Sequence, residues 1–117
     1  MIVIRLRNII VDNGLQFKKG LPAEITVSGH AGGLKGGDIV CSAVSALAQT
    51  LVLSIERLLD IKQNAVIENG FLSSAFQPRL NSGEGEKLKL LIESFLIGVL
   101  EVQKEYPERI KIDIEVD

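Results

Sequence analysis

The sequence predicts a single α+β domain over residues 1–117, a two-layer sandwich of two long helices against one mostly antiparallel sheet, in the order β-β-α-β-β-α-β. Three observations carry this. Apolar and polar residues alternate near both ends of the chain, the period of a half-buried strand. Two long stretches repeat apolar residues at helical spacing. Between those stretches an Asn-Gly pair separates two short alternating runs, the signal of a tight hairpin.

In chain order, Ile2, Ile4 and Leu6 share one face of the first strand while Arg5 and Arg7 point outward, in a run that extends to Val11. Asn13-Gly14 signals a turn, Leu15 to Phe17 continue a hairpin, and Lys18 to Pro22 form a surface excursion. Ala23 to Ser28 make the second strand, with Ile25 and Val27 on one side. Asp38 is the expected N-cap of the first helix, whose apolar stripe is Val40, Val44, Leu47, Leu51, Ile55 and Leu58. Ala43, Ala46 and Ala48 keep parts of that helix surface small.

Asp60 to Gln63 turn the chain into a strand over Asn64 to Glu68, Asn69-Gly70 closes the hairpin, and Phe71 to Phe76 supply its second arm, ended by Pro78. Arg79 to Glu86 is a polar linker in which Asn81 and Ser82 are candidate caps of the second helix. Its apolar face is Leu88, Leu91, Ile92, Phe95, Leu96, Val99 and Leu100; Leu90, Ile97 and Val102 widen the stripe enough to call for contact on more than one side. In the tail, Ile110, Ile112, Ile114 and Val116 alternate with Lys111, Asp113, Glu115 and Asp117, which predicts a strand at a sheet edge with its charged side in water.

Composition narrows the function classes. With 117 residues and 46% hydrophobic side chains the chain buries a proper core and is not disordered. A single cysteine rules out an intramolecular disulfide, and no basic segment precedes a signal-like apolar run, so a reducing cytoplasm is the expected compartment. The apolar stretch from Ile39 to Ile55 is interrupted by Ser42, Ser45, Gln49, Thr50 and Ser54, as in a core helix and not a membrane span. A net charge of −2, with one Tyr and no Trp, supplies neither a basic face nor a stacking platform, so direct nucleic-acid binding is not expected. One His and one Cys fall short of a structural zinc set, and the Gly-x-x-x-x-Gly-Lys-Ser/Thr phosphate loop is missing, so no metal or other cofactor is expected.

The sole histidine, His30, and the sole cysteine, Cys41, flank one glycine-rich loop that includes Gly36 and Gly37. With Asp38 as cap, Cys41 takes the third helical position, where first-turn N–H groups and the positive end of the helix dipole favour a thiolate. A nucleophilic thiolate also needs an acid–base partner within roughly 3 Å, and His30 is the imidazole available. The plainer reading makes Cys41 a small buried hydrophobe and His30 a strand-edge residue. The residues alone leave both readings open.

The run Gly29-His30-Ala31, the glycines after it, and Asp38-Ile39-Val40-Cys41-Ser42-Ala43-Val44-Ser45-Ala46-Leu47 resemble the signature of the ribosomal-processing cysteine protease family Prp (YsxB-like). The resemblance implies a small bacterial endopeptidase that removes the N-terminal extension of the ribosomal large-subunit protein twenty-seven precursor, with His30 and Cys41 as a catalytic dyad. Asp38 and Ser45 also match the pattern: Asp38 as a cap or as a group that orients His30, Ser45 as a hydrogen-bond partner under the site or one that back-bonds to its helix. Gly29 and the loop glycines Gly36 and Gly37 are supporting candidates, the loop N–H groups or that of Cys41 receiving oxyanion charge. The likeness extends more loosely over most of the chain, as far as the segment Glu101 to Pro107, and implies a homodimer.

Two departures from the family pattern bear on substrate fit. The loop between His30 and Cys41 is a residue shorter than in well-known members and lacks an aromatic residue, and the segment Leu15 to Pro22 is longer than a tight turn. The alternatives are a non-catalytic ribosome-assembly or protein-binding module and a thiol hydrolase acting on a small molecule. A deep closed pocket would favour the small-molecule enzyme, and an open groove peptide cleavage.

Overall fold

The computed structural model describes residues 1–29, 35–59, 61–78 and 83–117, and of residues 35–38 the backbone. Its elements are β1 (Ile2–Arg7), β2 (Ile9–Val11), β3 (Leu15–Phe17), β4 (Ala23–Ser28), α1 (Lys35–Leu58), β5 (Gln63–Glu68), β6 (Phe71–Phe76), α2 (Gly83–Glu105) and β7 (Ile110–Glu115). A five-stranded sheet runs in the order β5-β6-β4-β1-β7, antiparallel except for the β1–β7 pair. The expected α+β order is present, with β2 and β3 as a two-stranded hairpin inserted after β1.

Strand alternation separates the two faces of the sheet. Ile2, Ile4 and Leu6 of β1, Ala23 and Ile25 of β4, and Leu72 and Phe76 of β6 are buried under the helices. Arg5 and Arg7 face solvent and lie beside the β7 carboxylates: Arg5 Nε is 3.9 Å from Asp113 and 3.7 Å from Glu115. These half-exposed pairs contribute little stability. As expected from its charge alternation, β7 is an edge strand.

The helices close the core from one side. Val40, Val44, Ala48, Leu51, Val52 and Ile55 of α1 are buried, as are Leu88, Ile92, Phe95, Leu96 and Val99 of α2. A Cβ at Gly98 would come within 2.9 Å of the Leu47 side chain, so this glycine lets α2 approach α1. The segment Ile39–Leu58 has the length and composition to cross a membrane. Its buried stripe instead makes it the core helix of the domain. The wide stripe of α2 leaves Leu90, Ile97 and Leu100 exposed.

Two local expectations are corrected. The first strand does not run unbroken to Val11, because Asn8 adopts a positive φ of 59° and ends β1. Asn8 is buried and cross-links three segments: its amide donates to Pro22 O and Asp117 Oδ2, and its Oδ1 accepts from the Asp117 N–H. Secondly, α1 begins at Lys35, so Asp38 lies within the first turn and does not cap it. Asp60 and the candidate caps Asn81 and Ser82 lie outside the described residues.

Candidate active site

Cys41 is the seventh residue of α1, not the third. The unpaired N–H groups therefore lie in the first turn, at residues such as Gly36 and Gly37, and the Cys41 N–H is in the i→i−4 ladder, which removes it as an oxyanion donor. The thiol is half-buried, and its neighbours Val40 and Val44 are fully buried, so packing fixes where the helix presents it. His30 lies outside the described residues, as does the side chain of Asp38; the backbone of Gly36, Gly37 and Asp38 is in the first turn of α1.

A cavity of about 140 Å³ opens beside Cys41. One stripe of α1 lines it: Cys41, Val44, Ser45, Ala48 and Gln49, at the i, i+3, i+4, i+7 and i+8 spacing of a single helix face. Ile2, Val27 and Leu72 of the sheet form more of the wall. The rim is the tip of the β5–β6 hairpin from Ile67 to Phe71, together with Gly29. Gln49, Ile67, Glu68, Asn69 and Phe71 are exposed, so the cavity is a groove and not a closed chamber. Glu68 is the one charged residue among the described residues that line it.

Polar contacts hold these pieces in register. Ser45 Oγ accepts a hydrogen bond from Gln49 Nε2 at 2.9 Å, one helical turn along the rim. The Gly29 N–H donates to Gly70 O at 3.0 Å, which ties the end of β4 to the hairpin tip. Gly29 has φ +94°, and a Cβ there would collide with the Met1 carbonyl oxygen, so the chain leaves β4 in a conformation that only glycine fits. Lower on the hairpin, Gln63 Nε2 donates to the Val52 carbonyl of α1 at 2.8 Å and Gln63 Oε1 accepts from buried Ser74 Oγ at 2.6 Å. That network fixes β5 and β6 against the helix that carries Cys41.

Of the residues predicted from sequence, Cys41, Ser45 and Gly29 meet at one groove. Sequence reading missed the hairpin tip. Asn69-Gly70 was legible as a turn, but its position beside Cys41 follows from the pairing of β6 with β4, a long-range register no local pattern encodes. Among the described residues no group of three or more metal-ligating side chains is present.

Comparison with known proteins bears on this groove. The sequence model for "Cysteine protease Prp" matches residues 10–111. No curated protein matches the chain. A crystal structure from S. aureus, described as an essential ribosomal processing protease Prp in complex with a covalently linked product peptide, is similar with TM-score 0.73 at 21% identity, covering 98% of this chain and 100% of that one. The substrate-peptide complex of the S. aureus protease has TM-score 0.74 at 19% identity, with the same coverage. The SMU.848 protein from Streptococcus mutans is 29% identical, with TM-score 0.68 over 100% of this chain and 96% of that one.

Proposed function

The chain belongs to the cysteine protease Prp family, and on that premise we propose that it removes the N-terminal extension of the ribosomal large-subunit protein twenty-seven precursor, with Cys41 as nucleophile and His30 as general base and acid. One observation carries the site assignment: Gly29, covalently next to His30, and Cys41 line the same open groove. His30 takes the thiol proton as sulfur attacks the scissile carbonyl, and a tetrahedral oxyanion forms. The unpaired first-turn N–H groups of α1, including those of Gly36 and Gly37, are the donors suited to that oxyanion. A helical side chain leans toward the N-terminus of its helix, which brings the Cys41 sulfur over that first turn.

Collapse of the intermediate breaks the C–N bond. The imidazolium of His30 gives its proton to the leaving amine, and the acyl group remains on sulfur as a thioester. Water, deprotonated by the now neutral imidazole, then hydrolyses the thioester and returns the thiol. Ser45 supports the rim through Gln49, and Asp38 lies in the turn between the glycines and Cys41. The exposed rim favours an extended peptide over a small molecule. The S. aureus protein of this fold is described with substrate and product peptides, which agrees with that reading.

The exposed Leu90, Ile97 and Leu100 of α2 support a homodimer. Sedimentation of the wild type against Leu90→Glu/Ile97→Glu checks this. A cytoplasmic location fits the single thiol and the ribosomal substrate.

Incubation of freshly reduced protein with the full-length precursor, followed by intact-mass analysis, tests the function. The wild type gives one defined truncation; Cys41→Ala cuts nothing, and Cys41→Ser and His30→Ala lose nearly all activity. An uncut precursor refutes the assignment and leaves a non-catalytic assembly module as the reading; equal cutting by Cys41→Ala refutes Cys41 as the nucleophile.

A further inference from the structure

The main-chain groups of β5 divide by parity, and two neighbours fix which way. The two-residue turn Asn69-Gly70 places Glu68 opposite Phe71, and such a hairpin closes on a hydrogen-bonded pair. Gly70 gives its carbonyl to the Gly29 N–H on the β4 side, so Phe71, the next residue, faces β5. Counting back, Asn64, Val66 and Glu68 bond to β6, while Gln63, Ala65 and Ile67 turn their N–H and C=O groups to the outer edge. Among the described residues β5 is the last strand on that side.

This edge lacks the usual defences. The opposite edge strand, β7, carries Lys111, Asp113 and Glu115. β5 reads Gln-Asn-Ala-Val-Ile-Glu, pairs with β6 without a bulge, and exposes Val66 at 42% and Ile67 at 49%. From Gln63 to Ile67 this edge carries no charged side chain and no bulge, and an edge so little protected invites strand addition and is normally blocked. Its Ile67 end lines the same groove as Cys41.

We propose that the outer edge of β5 receives an extended segment of the peptide substrate as a sixth strand, which leads the scissile bond into the groove at Cys41. This rests on the peptidase reading above and adds the substrate's path. From Gln63 to Ile67 the strand spans about 13 Å at ~3.3 Å per residue, room for four or five substrate residues on one side of the cut. Main-chain exchange with Ala65 and Ile67 supplies sequence-independent affinity, and alternate substrate side chains lie next to Ala65 and Ile67 on the helix side.

The test uses synthetic peptides spanning the precursor's N-terminal extension and the first residues after it. In the wild type, a scan of single backbone N-methyl groups gives a period-two pattern: kcat/KM falls roughly five- to tenfold at alternate positions and stays near its unmodified value between them. Ala65→Pro removes one outward N–H and no bond to β6, so it keeps its melting temperature and its rate of Cys41 alkylation by iodoacetamide while peptide kcat/KM falls about tenfold, chiefly through KM. A flat N-methyl scan together with wild-type cleavage by Ala65→Pro overturns the proposal. Should the wild type cut no peptide, the peptidase reading fails separately, and hydrogen exchange on Cys41→Ala with the unmodified peptide decides the path: protection of the Ala65 and Ile67 amides upholds it, and unchanged exchange overturns it.

Discussion

Replacing Gly29 by alanine separates backbone strain from collision, because the chain contains its own control. At Gly29 φ is +94°, and an added Cβ meets the Met1 carbonyl oxygen, with Met1 C at 3.4 Å and Ile2 Cα at 3.8 Å. All three atoms are backbone, at the start of the strand in the middle of the core, so no side-chain rotation relieves the contact. At Gly20 φ is +82° and a Cβ meets nothing within 4 Å. Gly20→Ala therefore bears only the positive-φ cost, about 1–2 kcal/mol. Gly29→Ala adds an overpacking cost of about 1–3 kcal/mol, for a total on the order of 2–5 kcal/mol.

Against a total stability of roughly 6–18 kcal/mol for a domain of this length, that loss is large. At about 3–5 °C per kcal/mol for this size, Gly29→Ala melts on the order of 6–25 °C below the wild type, and Gly20→Ala about 3–10 °C below. Circular dichroism melts with parallel urea titrations measure both, equal m-values showing that the unfolded states compare. At a temperature where Gly29→Ala is fully folded, peptide cleavage should still be depressed through kcat, because the displaced strand end carries His30. If the two variants melt within ~2 °C of each other, the close approach of Met1 to Gly29 is not a constraint and the account of how β4 delivers His30 fails.

Asn8→Ala loses three side-chain hydrogen bonds and places alanine at a φ of 59°, so it should cost about 2–4 kcal/mol, read as a lower urea midpoint. The Arg7 guanidinium, and after it the Asn8 amide, hold the Asp117 carboxyl below the ordinary carboxylate range. A lowered folded pKa gives stability that is present at neutral pH and is lost as pH falls below about 4 toward the folded value. The melting-temperature advantage of wild type over Asp117→Asn should accordingly shrink between pH 7 and pH 3, and a constant difference would count against the pairing. Leu88→Ala, at a site with no exposure between α2 and the sheet, should cost about 2–5 kcal/mol by the same melts.

Local periodicity made most elements legible. Ile2, Ile4 and Leu6 could be placed on one face from alternation alone, and the α2 stripe from its spacing, because burial demands those periods whatever the neighbours are. Pairing was not legible. Nothing in β7 says that it runs parallel to β1, and nothing in Asn69-Gly70 says that the turn sits beside Cys41; both depend on contacts far apart in sequence. The start of α1 was misread because Asp38 is a good cap and Gly36 and Gly37 are poor helix formers, at about 1 kcal/mol each. Intrinsic propensity is a weak prior, and the helix begins one turn earlier. At the site, Cys41 and Ser45 were legible by residue type and spacing, whereas Ile67, Phe71 and Leu72 read only as strand residues.

The two ends of the glycine-rich segment are fixed by different means, and this bears on why its length can differ from that of other family members. Cys41 stands between fully buried Val40 and Val44, so rotating or sliding α1 to move the sulfur would expose core side chains that each stabilise the fold by about 1.5–3 kcal/mol. Gly29 is fixed by backbone: its N–H is bonded to the Gly70 carbonyl, and a Cβ there would collide with the Met1 carbonyl oxygen. Both fixings belong to the same sheet and helix layer, and neither uses a residue between them. Loss of one residue within the segment is therefore expected to leave Cys41 and the end of β4 in place. Under the proposed function, the segment's length and its lack of an aromatic side chain bear on substrate fit. Inserting one glycine after Ala31 should leave the melting temperature within about 2 °C and the iodoacetamide rate of Cys41 unchanged while altering KM for the precursor peptide. A large fall in melting temperature would show that the segment itself holds the two ends together.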